Sequence, residues 1–158
     1  MLISRTDLEK RSRAFRKAGK RIVFTNGCFD LVHPGHLHLI ETAASFGDIL
    51  LIAINDDASV RRLKGEGRPI YPASERAEIL LALKWVDCVT VFSEDTPLET
   101  IRLVRPHVLV KGAEYKEEDI VGATFVSKDG GEVVRIRMKP GYSTRTLIQR
   151  VTGSCQPG

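Results

Sequence analysis

Two histidines separated by a proline and a glycine follow an apolar run in the segment 26-NGCFDLVHPGH-36. Histidine side chains bind metals, transfer protons or donate hydrogen bonds to anions. The spacing of His33 and His36 differs from the i, i+4 spacing of a zinc-binding HExxH helix, so no metal site is predicted. Pro34 suits the first position of a helix, with His36 in its first turn. Because helix N-termini attract anions, the pattern favours a phosphate site over two incidental loop histidines.

Three other residues of this segment are candidates for the same site. Gly27 allows a sharp turn after the strand and a close approach of phosphate. Asp30 could orient a ring nitrogen, hold magnesium or cap the turn. Cys28 could act as a nucleophile only with a lowered pKa, and a small residue in a tight loop is the simpler interpretation. The chain contains neither a Walker A loop nor a GxGxxG fingerprint, which argues against those two nucleotide-binding modes.

Further candidates for anion binding occur later in the chain. Lys64 lies in a glycine-punctuated stretch, where it could swing over a phosphate, and Arg68 and Arg76 are close to it in sequence. Ser143 and Thr144 stand at the start of a predicted helix, where their hydroxyl groups could cap the helix or contact a terminal phosphate.

The hydrophobic pattern predicts strands that alternate with helices. The predicted strands are residues 21–26, 49–55, 86–92, 107–112 and 132–138. The predicted helices are residues 6–18, 35–46, 73–85, 97–105 and 143–151, with shorter ones within 56–72 and near 121–128. This alternation predicts an α/β fold with a doubly wound parallel sheet in a single domain, residues 1–151, followed by a flexible tail at 152–158.

Composition limits the classes of protein to consider. The 158 residues are 42% hydrophobic and 28% charged, as in an ordinary globular domain. No apolar run approaches the length of a membrane span, and the first residues lack the apolar region of a signal peptide, so no membrane association is expected. The three cysteines form no CxxC pair, which favours reduced thiols in the cytoplasm.

Positive charge is concentrated at the N-terminus. Residues 1–21 contain eight basic and two acidic residues, whereas the net charge of the chain is +4. Leu8 and Phe15 are one heptad apart in this segment, as expected of a surface helix with a narrow apolar seam. Nucleic-acid binding and attraction of anionic small molecules are the alternatives, and we expect no nucleic-acid partner.

Taken together, these motifs resemble those of one family. The run 26-NGCFDLVHPGH-36 is similar to the GxFDxxHxGH signature of the HxGH-type nucleotidyltransferases, and 141-GYST-144 resembles their G-x-S-T block. Segments 55–72, 109–115 and 130–134 resemble the adenylyltransferase domain of the heptose 1-phosphate adenylyltransferases. The resemblance covers roughly residues 20–151 and implies a Rossmann-like nucleotidyltransferase fold.

The resemblance implies a reaction in which ATP and D-glycero-D-manno-heptose 1-phosphate give ADP-heptose and pyrophosphate, for lipopolysaccharide core assembly. It also implies Mg²⁺ bound mainly through the ATP phosphates, a separate sugar kinase, and a homodimer or higher oligomer. A cytidylyltransferase for glycerol 3-phosphate or phosphoethanolamine is one alternative. A non-catalytic nucleotide-binding module is another, from a different class.

Site roles follow from the same resemblance. His33, His36 and Lys64 match the catalytic positions, and Asp57, Lys64 and Arg68 the substrate-binding ones. Arg76 matches an arginine that is either near the base or structural. The positions matched to nucleotide binding are Asn26, Gly27, Cys28, Phe29, Asp30, Gly35, Arg76, Lys111, Gly112, Tyr142, Ser143 and Thr144. The chain departs from the family pattern at Arg145, where threonine is usual, and at Glu114, where aspartate is common.

Overall fold

This computed structural model describes residues 1–154 of the chain. These residues form a parallel five-stranded sheet with helices on both faces. The strands are β1 (Ile22–Gly27), β2 (Ile49–Asn55), β3 (Cys88–Phe92), β4 (Val108–Gly112) and β5 (Glu132–Ile136). The helices are α1 (Leu8–Lys17), α2 (Pro34–Ala44), α3 (Asp57–Lys64), α4 (Ala73–Leu81), α5 (Leu98–Val104), α6 (Ala123–Lys128) and α7 (Thr144–Ser154), with a 3₁₀ turn at Glu117–Asp119.

Strand order in the sheet is β3-β2-β1-β4-β5, and every pairing is parallel. The chain builds outward from β1 to β3 and then crosses back to place β4 on the other side of β1. Such a reversal leaves a crevice beyond the carboxyl ends of the two central strands, here β1 and β4, where ligands bind in doubly wound folds. The predicted fold class is confirmed.

The core lies on both faces of the sheet because neighbouring side chains of a strand point to opposite faces. Val23 of β1 packs with Ile40 of α2 and Leu80 of α4 on one face. Phe24, the next residue, packs with Leu8 of α1 on the other. Leu8 is fully buried, as the predicted apolar seam of the N-terminal helix requires. The helix that carries these basic side chains, α1, is therefore anchored in the core.

Both terminal helices differ from their predicted bounds. Helix α1 begins at Leu8, two residues after the predicted start, with Asp7 as its N-cap residue. The Asp7 carboxylate accepts the Ser4 hydroxyl and makes no side-chain cap to the helix. Helix α7 extends to Ser154, three residues beyond the predicted end of this helix, so residues 152–154 of the predicted tail are helical. Residues 155–158 of that predicted tail lie outside the described residues. No helix within residues 1–154 is long and apolar enough to cross a membrane.

Candidate active site

A histidine caps the start of helix α2. The Nδ1 atom of His33 accepts the backbone N–H groups of Gly35 at 3.1 Å and His36 at 3.3 Å. Pro34 occupies the first helical position, as predicted. Because Nδ1 is the acceptor in both bonds, the proton of the neutral His33 ring resides on Nε2. The cap therefore fixes the tautomer and leaves Nε2–H as a hydrogen-bond donor.

The rings of His33 and His36 are stacked, with centroids 3.7 Å apart and planes inclined by 18°. Gly35 permits this contact, since a Cβ atom there would lie 2.9 Å from Cε1 of His33. Burial lowers the pKa of both rings, that of His36 to about 3, with His33 as a second cause. Both imidazoles are therefore neutral near pH 7 and can stabilise phosphate oxygens by hydrogen bonding.

The turn from β1 to α2 is built around Asp30. Phe29 and Leu31, which flank it, have left-handed backbone with φ of 48° and 53°. Strain of this kind persists where the surrounding contacts hold the backbone in place. The Asp30 carboxylate accepts Arg68 Nε at 2.7 Å and the N–H groups of Ile70 at 2.9 Å and Tyr71 at 3.1 Å. These contacts favour the capping interpretation of Asp30, because its oxygens already bond to the loop after α3.

A first cavity opens at the switch point, between the ends of β1 and β4. This switch-point cavity has a volume of about 160 Å³, and its lining includes Asn26, Gly27, His36, Lys111 and Gly112. The structure thus brings these five predicted site residues together.

Lys111 is the cation of this cavity. Its Nζ donates to the Asn26 carbonyl at 3.3 Å and lies 5.8 Å from the centre of the Tyr115 ring. Burial lowers the pKa of Lys111 to about 8, and the Glu114 carboxylate acts in the opposite direction. A lysine in this environment changes charge close to physiological pH.

A second, larger cavity has a volume of about 790 Å³ and borders the histidines. Cys28, Phe29, His36, Glu114 and Met138 line both cavities. The further lining residues of this histidine cavity include Asp30, His33, Lys64, Arg68, Tyr142, Ser143, Thr144 and Arg145. The predicted catalytic residues, His33, His36 and Lys64, therefore border one space, with Lys64 at the end of α3 and Arg68 in the loop that follows.

The start of α7 forms part of the wall of the histidine cavity. Tyr142 lies against His33, with ring centroids 6.5 Å apart and planes inclined by 22°. The Ser143 hydroxyl accepts the N–H of Thr146 at 3.0 Å and so caps the helix. The Thr144 hydroxyl donates to the carbonyl of Asp30 at 2.8 Å. Of the two predicted roles for these hydroxyl groups, the described contacts support the structural one.

Arg76 and Asp57 do not line either cavity. Arg76 is fully buried and donates to the Asp57 carboxylate and the Cys28 carbonyl, both at 2.7 Å, and to the Tyr71 carbonyl at 2.9 Å. Asp57 also accepts the N–H of Ala73 at 2.8 Å. Asp57 thus holds Arg76 and the start of α4 through Oδ1, and its role at the sugar phosphate stays a prediction. The structural alternative for Arg76 is favoured.

Cys28 borders both cavities but has the wrong environment for a nucleophile. Burial raises the pKa of its thiol, and its Sγ lies 3.9 Å from Oδ1 of Asn55. A thiol with a raised pKa stays protonated near neutral pH and is a weak nucleophile. The small-residue interpretation of Cys28 fits this environment.

Glu114 and Met138 border both cavities but were not predicted as site residues. The carboxylate of Glu114 lies directly over Gly112, where a Cβ atom would come within 2.1 Å of Oε2. The position of Glu114 just after a predicted strand was a signal for the site, whereas Met138, at the end of another, carries no polar group to mark it.

Within residues 1–154, no group of three or more His, Cys, Asp or Glu side chains is arranged to hold a metal ion.

Residues 24–147, which include this whole arrangement, match the family described as cytidylyltransferase-like. The chain belongs to the cytidylyltransferase-like family. It is a nucleotidyltransferase, as the motifs of β1, α2 and α7 predict.

Two relatives, both named bifunctional protein HldE, match nearly the whole chain. The protein from Azorhizobium caulinodans is 50% identical over 149 residues, which are 94% of this chain and 31% of the relative. That from Nitrobacter hamburgensis is 50% identical over 150 residues, 95% of this chain and 31% of the relative. The chain thus spans less than a third of the length of these curated relatives.

Solved structures share the fold. A lipopolysaccharide core biosynthesis protein from Thermoplasma volcanium superposes with a TM-score of 0.63 and 25% identity, covering 77% of this chain and 98% of that one. A pantoate-beta-alanine ligase from Francisella tularensis has a TM-score of 0.62 and 17% identity. The match covers 94% of this chain and 72% of the ligase, and it supports the fold alone.

Proposed function

We propose that this nucleotidyltransferase transfers AMP from ATP to D-glycero-D-manno-heptose 1-phosphate, giving ADP-heptose and pyrophosphate for lipopolysaccharide core synthesis. The similarity to the two HldE proteins and to the lipopolysaccharide core biosynthesis protein of Thermoplasma volcanium supports this assignment. So does the resemblance of segments 55–72, 109–115 and 130–134 to the heptose 1-phosphate adenylyltransferases.

The observation that carries the proposal is the pair of neutral, stacked histidines at the start of α2, facing a cavity that also contains Lys64 and Arg68. Negative charge accumulates on the phosphoryl oxygens as the α-phosphorus is attacked. Donors fixed before the reaction stabilise that charge without having to reorganise. The cap on His33 provides such a donor, because it holds the ring in position and leaves Nε2–H free for an anion.

No protein nucleophile is needed for this reaction. An oxygen of the sugar phosphate attacks the α-phosphorus directly, so the protein has to position the two substrates and stabilise charge. Lys64 and Arg68 would hold the acceptor phosphate, while His33 and His36 contact the phosphates of ATP. The raised pKa of the Cys28 thiol agrees with a mechanism that forms no covalent enzyme intermediate.

Magnesium enters this proposal as an ion carried mainly by the ATP phosphates. When bound, it neutralises part of the triphosphate charge and acts as a Lewis acid. The donor set of the histidine cavity fits such an ion. The carboxylate of Glu114 lies at the cavity lining and would be the protein oxygen donor beside it, whereas the Asp30 carboxylate bonds to the loop after α3.

A substrate matrix tests the proposal. ATP and CTP are each paired with heptose 1-phosphate, glycerol 3-phosphate and phosphoethanolamine, and the release of pyrophosphate is measured. We expect the highest kcat/KM for ATP with heptose 1-phosphate. Highest activity with CTP and either of the other acceptors would instead support the cytidylyltransferase alternative. Binding of ATP without turnover of any pair would favour a non-catalytic module.

A further inference from the structure

Met138 belongs to the lining of three cavities. It follows the end of β5 by two residues, and it lines both the switch-point cavity and the histidine cavity. It also lines a third cavity, of about 830 Å³, together with Pro34, His38 and Trp85. A chemical change of the Met138 side chain would therefore alter the lining of all three spaces at once.

The thioether of Met138 is within reach of small oxidants. Its side chain is partly buried against the core cluster that contains Ile40, and the cavities that it lines are open to solvent. The sequence contains one other methionine, Met1, which is 55% exposed and lines none of the three cavities. Oxidation of methionine gives a polar sulfoxide, which dedicated reductases return to the thioether. Met138 is thus the methionine at which oxidation would change the candidate active site.

The two cysteines among residues 1–154 are poorly suited to react with the same oxidant. The thiolate, rather than the thiol, is the nucleophile of a cysteine. Burial raises the pKa of Cys28, and it raises the pKa of Cys88 to about 11. A thioether has no proton to lose, so its oxidation does not depend on such a pKa. Mild acid therefore favours reaction at Met138 over reaction at either thiol.

We propose that Met138 is an oxidation site, and that its sulfoxide weakens the binding of the nucleoside triphosphate. In the oxidation step, hydrogen peroxide transfers one oxygen atom to the sulfur. The sulfur is oxidised and the peroxide is reduced to water, so no further reactant is needed. This inference rests on the proposed function only in taking ATP as the nucleotide.

The chemistry of the sulfoxide explains the direction of the effect. Its oxygen is a hydrogen-bond acceptor, as are the phosphate oxygens of a nucleotide, so the two cannot bond to each other. A bound nucleotide also displaces water from the cavities, which would leave the new oxygen without its hydrogen bonds. In addition, the flexible apolar thioether no longer fills the space between ligand and core.

Isothermal titration with magnesium ATP, before and after peroxide treatment of the whole chain at about pH 6, tests the inference. Mass spectrometry of proteolytic peptides measures the oxidation of Met138 and Met1 separately. We expect the Kd for ATP to rise about 10-fold once Met138 is oxidised. Dithiothreitol should not reverse this rise, whereas methionine sulfoxide reductases should.

Three variants, each compared with its own untreated sample, locate the reacting sulfur. Met138→Leu keeps an apolar side chain of similar size without sulfur, so peroxide should leave its Kd for ATP unchanged. Cys28→Ser lacks the neighbouring thiol and should respond to peroxide as the wild type does. Met138→Gln introduces a polar group in place of the thioether and should weaken ATP binding without any oxidant.

Several outcomes would overturn the inference. They are an unchanged Kd after oxidation of Met138, an equal response of Met138→Leu and wild type, or oxidation of Met1 under conditions that leave Met138 intact. Full recovery with dithiothreitol would assign the effect to a thiol instead. Binding of CTP but not ATP, with the binding of CTP weakened by oxidation of Met138, would uphold the oxidation site and contradict the proposed function.

Discussion

His33 accepts the backbone N–H of His36 at 3.3 Å while its ring lies 3.7 Å from the ring of the same residue. One imidazole thus serves as the helix cap, as the stacking partner and as a candidate phosphate donor. These roles use different atoms, because the cap uses Nδ1 and the donor is Nε2–H. Substitutions can therefore separate helix stability from catalysis.

Replacing His33 by asparagine and by alanine should separate the two roles. Asparagine is a good N-cap, so we expect His33→Asn to be more stable than His33→Ala by about 1 kcal/mol in the free energy of unfolding. Both variants should lose about 10²–10³-fold in turnover, since neither provides the Nε2–H donor. Urea unfolding and pyrophosphate release measure the two effects. Equal stabilities would show that the cap contributes nothing.

His36 should make the folded protein sensitive to acid. The pKa of its ring is about 3 in the folded chain against 6.5 when unperturbed, so below pH 6.5 the unfolded chain binds the extra proton first. Stability from this group is present above pH 6.5 and is lost as the pH falls towards 3. Urea unfolding between pH 7 and pH 4 should show a shallower decline for His36→Gln than for wild type. Parallel curves would contradict this prediction.

Loss of His36 should also slow catalysis. We expect His36→Ala to lower kcat about 10²–10³-fold, the effect of removing one transition-state donor. His38 provides a matched control, because it lies on the same helix and outside the lining of both cavities. His38→Ala should keep near-normal turnover in the same pyrophosphate-release assay. Near-normal turnover of His36→Ala would rule out its role at the phosphates.

Much of this arrangement could be predicted from sequence because its signals are local. The alternation of strands and helices, the position of Pro34 and the placement of His36 in the first turn all follow from short patterns. The cap by His33 could not be predicted, because a histidine cap depends on a ring orientation that Gly35 permits. The contacts of Arg76 with Asp57 and Cys28 join residues 19 and 48 positions apart, which no short pattern reveals.

Lys111 should make nucleotide binding depend on pH. Its pKa of about 8 means that the ammonium loses its proton as the pH rises from 7 to 9. If Lys111 contacts the nucleotide as predicted, the KM for ATP should increase over this interval. Lys111→Arg keeps the charge at these pH values and should flatten the increase. A pH dependence that is identical in the two proteins would exclude Lys111 as its source.

The bond between Asp30 and Arg68 should contribute strongly to stability. The Asp30 side chain is fully buried and Arg68 is 15% exposed, so Asp30→Asn leaves a buried cation without its charged partner. We expect a loss of about 3 kcal/mol in the free energy of unfolding. The exposed pair of Arg62 and Asp95 is the control, and Asp95→Asn should cost less than about 1 kcal/mol. Equal losses in urea unfolding would contradict the assigned role of burial.

Asp30 attaches the two walls of the histidine cavity unequally. Its carboxylate binds the loop after α3 through three donors, whereas its carbonyl binds α7 through the Thr144 hydroxyl alone. The weaker attachment should open more often. We therefore expect backbone hydrogen exchange to be faster at the start of α7 than at Ile70 and Tyr71, whose N–H groups bond to the Asp30 carboxylate. A single residue between β1 and α2 would then decide which wall of the histidine cavity opens first.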